Sequence, residues 1–158
     1  MTAEAARLRR IVEEAAPRLA SLAHPEHRPS DERWSPIEIL GHLIDSASNN
    51  HQRFVRAQLD SRLEFPGYTQ DRWTALQQYQ SESWDNLLAL WISYNRHLAH
   101  VISAIPAGAQ PHACSIGGRD PVALGFLVTD YIHHLEHHLA QIAAISPAGT
   151  SSDGRGAV

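Results

Sequence analysis

Apolar residues recur at helical spacing along four stretches of the chain. In the first, residues 3–22, Leu8, Ile11, Val12, Ala15, Leu19 and Leu22 share one face, as an amphipathic helix requires. Pro17 lies inside it, lacks the N–H of an interior helical bond, and predicts a kink or a break. The second stretch opens on Ser35-Pro36-Ile37-Glu38, a capping box with proline at the first helical position, and Trp34 and Ile39 stand where a hydrophobic staple would form. It runs to about Leu59, with Leu40, Ile44, Ala47, Phe54 and Val55 as its apolar face. The third runs from about Thr74 to Ile105, with a break near Ser81, and carries Trp84, Leu87, Leu88, Trp91, Leu98, Val101 and Ile102. The fourth opens at Asp120-Pro121 and ends near Ile145, before Ser146-Pro147.

Two connections separate these helices: residues 60–73, with a Pro-Gly turn, and residues 106–119. Nothing between the helices reads as a strand. The pattern predicts an all-α fold, a four-helix bundle in one domain over residues 1–146, followed by a flexible tail at 147–158 that is small, polar and Gly-rich.

Composition narrows the function classes. A chain of 158 residues suits a single domain with its own core. No run approaches the roughly 18 apolar residues of a membrane span. The charged N-terminus, MTAEAARLRRIVEEAA, lacks the apolar core of a secretory signal, so a cytoplasmic protein is expected, with no membrane partner. A net charge of −4 and scattered arginines argue against nucleic acid. The single cysteine, Cys114, excludes an intrachain disulfide and reads as a small loop residue.

Histidine is the over-represented residue: the chain has 11, and His133, His134, His137 and His138 crowd into six positions. On a helical wheel His134 and His138 lie about 40° apart at the edge of the last helix's apolar arc, one turn from each other. Two imidazoles so placed can reach one metal ion. His133 and His137 have the same spacing but fall beside Asp130, away from the apolar stripe. A third ligand would come from His42, His51, His97 or His100. Periodicity favours His51, which is central on its apolar face. His42 lies on a stripe with Glu38, Asp45, Ser46, Asn49 and Arg53, which reads either as a solvated face or as the wall of an internal cleft.

Two segments together resemble a known family. Trp34-Ser-Pro-Ile-Glu-Ile-Leu-Gly-His42-Leu-Ile-Asp45-Ser and Tyr131-Ile-His-His134-Leu-Glu-His-His138-Leu-Ala-Gln141-Ile are similar to the second-helix and last-helix signatures of the DinB/YfiT-like superfamily of metalloenzymes. Asn50-His-Gln-Arg53-Phe and the Phe65-Pro-Gly-Tyr68 loop add to the likeness. The resemblance implies a four-helix bundle holding a divalent ion, nickel or zinc, on His42, His134 and His138, in a homodimer. It thus names His42 where periodicity names His51. It also implies transfer of a low-molecular-weight thiol, as cosubstrate, to a small electrophilic molecule. Alternatives are hydrolysis by metal-bound hydroxide and a non-catalytic metal- or ligand-binding dimeric bundle.

Three further residues are candidates around such a site. A ligating imidazole usually gives its other N–H to a carboxylate or carbonyl. Asp45 lies one turn beyond His42 and Asp130 one turn before His134, so either could serve. Arg53 could bind an anionic substrate. Tyr131 reads as core.

Overall fold

The computed structural model describes residues 1–145; the expected tail at 147–158 lies outside the described residues. Four long helices form the bundle: α1 (Thr2–Ala20), α2 (Pro36–Leu59), α4 (Trp84–Ala104) and α5 (Leu124–Ile145). A short helix α3 (Gln70–Gln77) and two 3-10 turns, Tyr79–Ser81 and Ala107–Ala109, lie in the connections. Helices α1 and α2 each pack against α4 and α5.

The expected capping box forms at the head of α2: the Glu38 N–H donates to Ser35 Oγ at 3.4 Å, and the Ser35 N–H donates to Glu38 Oε2 at 2.9 Å. Helix α1 is continuous through Pro17, so the expected break does not occur. Pro17 and Glu13 are both exposed, so the carbonyl that loses its partner can turn to water.

The expected third helix is divided. Gln78 takes a left-handed conformation (φ 52°) that ends α3, and α4 starts only after Ser83, whose side chain accepts the Asn86 N–H. The break thus brackets Ser81, while the first piece begins four residues before Thr74.

The expectation of no strands is corrected. Arg62–Phe65 (β1), Ala113–Ile116 (β2) and Val122–Ala123 (β3) form a sheet in that order. Strands β1 and β2 pair in parallel, from Arg62↔Ala113 to Phe65↔Ile116, and β2 and β3 pair antiparallel. Arg62-Leu63-Glu64-Phe65 alternates, but four residues are the shortest run that reads as a strand, and the partner of β1 lies in the other long connection. The same pairing corrects the start of the last helix. Val122 and Ala123 are taken by the sheet, so α5 begins at Leu124 rather than at Asp120-Pro121.

Helix α2 sets the architecture. It is covered by α4, α5, α3, the 79–81 turn and the sheet, and every residue from Ser35 to Ala47 is buried. Leu40, Leu43, Phe54, Trp91, Leu98, Tyr131, Ile132 and Leu135 form the core around it. A fully buried side chain of this kind contributes roughly 1.5–3 kcal/mol. Tyr79 lies directly over α2 at Gly41, where a Cβ would fall inside its ring.

Gly41→Ala is therefore expected to destabilise the fold by about 1–3 kcal/mol in urea unfolding. Gly67→Ala serves as its control. A Cβ there makes only an ordinary 3.5 Å contact with Gly117, so the change should stay within about 0.5 kcal/mol.

Candidate metal centre

His42, early in α2, and His134 and His138, on successive turns of α5, meet between the two helices. His42 Nε2 lies 3.2 Å from His134 Nε2, and His138 Nε2 also lies 3.2 Å from His134 Nε2. The rings stand nearly perpendicular to one another, at 70°, 73° and 71°, around a shared point. Trp34 closes one side, its ring 5.1 Å from that of His42.

The arrangement fits a divalent ion. Zinc–nitrogen bonds of about 2.0–2.1 Å in tetrahedral geometry put ligand nitrogens roughly 3.3 Å apart. The protonation states fit as well. Burial, with His138 and His134 nearby, pushes the His42 pKa down to about 3. Burial, with His138 and His137 nearby, pushes His134 down to about 4. Burial also lowers His138, opposed by its bond to Gln141. All three are thus neutral at pH 7, the state a metal requires.

The nitrogens facing away from the centre differ. His138 Nδ1 donates to Gln141 Oε1 at 2.7 Å, which leaves its Nε2 lone pair free. The amide of Gln141 in turn donates to His137 Nε2 at 3.0 Å. Sequence reasoning quoted Gln141 only as part of a signature; its spacing of three from His138 on one helix was the available signal. His42 Nδ1 and His134 Nδ1 are buried without partners. Buried unpaired groups of this kind cost about 1–3 kcal/mol each, and an ion on the facing Nε2 atoms would leave them unpaired.

The other sequence candidates are placed as follows. Asp45 is buried one turn from His42 but does not bond to it. Its Oδ1 accepts from the Tyr79 hydroxyl at 2.7 Å and from Gln77 Nε2 at 2.9 Å. Burial raises its pKa, against the pull of those two bonds. Asp130 and Arg53 both line a cavity of about 340 Å³ that reaches His134. His51 lies elsewhere, half-buried, with Nδ1 3.2 Å from the Tyr94 hydroxyl and its ring 5.2 Å from that of His97. His133 and His137 are exposed, and His133 Nε2 lies 3.2 Å from Arg7. Tyr131 is buried, and its hydroxyl donates to Asn95 Oδ1 at 2.5 Å.

The cavity also has walls that sequence reasoning did not name as site residues. Ser46 and Asn50 follow His42 at helical spacing, so their place on one stripe was readable. Tyr68, Gly67, Gly117 and Arg119 come from the loops that follow β1 and β2. Those loops meet where the Gly117 N–H donates to Phe65 O at 2.9 Å, and Gly117 takes a positive φ of 62°. A larger groove of about 1580 Å³ runs between α1 and α5, but none of the three clustered histidines lines it. Chemistry rather than size therefore places the site.

Three outcomes are expected of the purified protein. His134→Ala should abolish stoichiometric zinc binding in equilibrium dialysis at pH 7, and His51→Ala should leave it intact. Gln141→Ala should weaken binding about tenfold. The metal-free protein should lose thermal stability between pH 7 and 5, above the carboxylate range. The unfolded histidines take up protons near 6.5, whereas His42 and His134 resist until about 3 and 4, so stability falls as pH falls.

No curated protein matches the chain. Among solved structures it is similar to YfiT from Bacillus subtilis, described as a probable metal-dependent hydrolase with an unusual four-helix bundle topology. The TM-score is 0.75 at 17% identity, covering 89% of this chain and 85% of that one. A likeness at that identity speaks for the fold. The family model of the DinB superfamily matches residues 2–142, and the chain belongs to that superfamily.

Proposed function

We propose that this protein is a metal-dependent hydrolase acting on a small organic substrate, with a divalent ion, zinc or nickel, held by His42, His134 and His138. The observation that carries this reading is the convergence of three neutral imidazole nitrogens, one of which, on His134, belongs to a side chain lining a polar cavity. Three neutral ligands leave coordination positions open and the charge of the ion undiminished. When bound, such an ion supplies Lewis acidity, lowering the pKa of a water ligand toward about 7 and polarising a substrate oxygen.

The chain's own groups would do the rest. Gln141 fixes the tautomer of His138. The Asp130 carboxylate, exposed in the cavity wall beside His134, can accept the proton released by the attacking water. Burial pushes the Tyr68 hydroxyl up to about 12, with Asp45 adding to the shift, so at neutral pH it is a hydrogen-bond donor to substrate. The description of YfiT supports the same reading.

Thiol transfer, which the sequence resemblance implies, needs a second organic molecule beside the substrate. The cavity, at about 340 Å³, is near the lower end of the roughly 300–1,000 Å³ range for pockets holding a single ligand. Water, which needs no second organic binding site, is the nucleophile of the proposed reaction.

The zinc- or nickel-loaded protein should hydrolyse members of a panel of small esters and amides with water alone. His134→Ala should reduce turnover at least about a hundredfold, as loss of an ion that activates water would. Product that forms only when a low-molecular-weight thiol is added would overturn hydrolysis in favour of transfer. Stoichiometric metal without turnover would identify a binding protein.

A further inference from the structure

The cavity that reaches His134 has a second chemical pole. Arg53 lies on α2 eleven residues after His42, about 16 Å further along the helix axis, and lines the same cavity. Its guanidinium is held from two sides. Nη1 donates to Asn50 Oδ1 at 3.3 Å, and Cζ sits 5.5 Å from the centre of the Phe65 ring. Asn50 is itself fixed, with Nδ2 donating to Ser46 O at 3.0 Å. The guanidinium is therefore pre-positioned by neutral groups, which lowers the ordering cost of binding a ligand.

What Arg53 lacks is an anion. Among the described residues no carboxylate forms an ion pair with it, and its Nε is buried with no hydrogen-bond partner. Burial draws its pKa below the ordinary arginine value, yet a guanidinium stays charged at neutral pH. A half-buried, oriented and unpaired cation is costly to keep unless something pairs with it.

We infer that the substrate of this site carries a carboxylate, and that Arg53 binds it at the end of the cavity away from the three histidines. A planar fork of donors matches a carboxylate in two-point contact. Charge at this end favours a carboxylate over a phosphate: Asp130 lines the same cavity and would repel the double charge concentrated on one phosphate group more strongly than the single charge of one carboxylate group. Arg119, exposed among the lining residues, adds a second positive group that can draw an anion in. The inference rests on the proposed metal site only for where the reacting end of the substrate lies.

The test uses succinate, glutarate and adipate as probes, with their diamides as neutral counterparts, in calorimetric titrations of the zinc-loaded protein. At least one diacid should bind, and its diamide should bind at least about tenfold more weakly, as loss of a charge-assisted pair implies. Arg53→Gln should weaken the diacid by a similar factor at unchanged zinc content and thermal midpoint. Arg53→Lys, which keeps the charge but not the fork, should fall between the two and guards against a folding artefact.

Equal binding by Arg53→Gln and the parent, equal binding of diacid and diamide, or no diacid binding at millimolar concentration would each overturn the inference. Arg53-dependent binding of inorganic phosphate without binding of any diacid would overturn the carboxylate assignment. The same titrations on metal-free protein separate the two readings. Binding that depends on Arg53 but is indifferent to zinc would count against the metal reading and leave this one standing. Zinc-dependent binding indifferent to Arg53 would do the reverse.

Discussion

From Glu38 to Asn50, α2 buries a stripe of polar side chains, and burying such groups without partners would cost several kcal/mol. Much of the structure outside the core supplies those partners. Glu38 is met by Ser35, by Arg28 from the connection after α1, and by Gln80 from the turn after α3. Burial alone would raise the Glu38 pKa, but these bonds hold it below its ordinary value. Asp45 is met by Tyr79 and Gln77 from the same α3 region. Two connections that look like mere spacers are therefore tied down by the demands of one helix.

His42 belongs to the same stripe, and its partners come from α5. The three imidazoles are an incomplete solution, since two of their outward nitrogens are unpaired and their inward nitrogens converge. The converging inward nitrogens set this cluster apart from a satisfied polar core. Further along, the stripe continues as Ser46, Asn50 and Arg53 and becomes the wall of the cavity. The opposite side of that cavity comes from α5 and from the loops that follow β1 and β2. The small sheet serves the site as well as the core, to which it gives Cys114: parallel pairing of β1 with β2 brings Gly67 and Gly117 together and sets Tyr68 and Arg119 at the cavity.

The bundle was legible in the sequence because its signals are local. Apolar residues at helical spacing, the Ser35–Glu38 capping box and the break around Ser81 each depend on residues within a few positions of one another. The His134/His138 pair was legible for the same reason, since one helix fixes their relative placement. The sheet was not, because its pairing joins Arg62–Phe65 to Ala113–Ile116 across the whole of α3 and α4. The start of α5 followed from that pairing and was missed with it.

His42 marks the boundary between the two kinds of information. A helical wheel treats a polar stripe as the side facing water, and by that rule His51 was the better third residue. In the folded chain the rule fails on α2, which is buried on its polar and apolar sides alike from Ser35 to Ala47. His42 is fully buried, while His51 is half-buried against Tyr94 and His97. The chain alone determined the helices and the pair of histidines that one helix carries. Only the tertiary structure decided which side of α2 faces α5, because that depends on distant segments covering and hydrogen-bonding a stripe that, on an isolated helix, would belong in water.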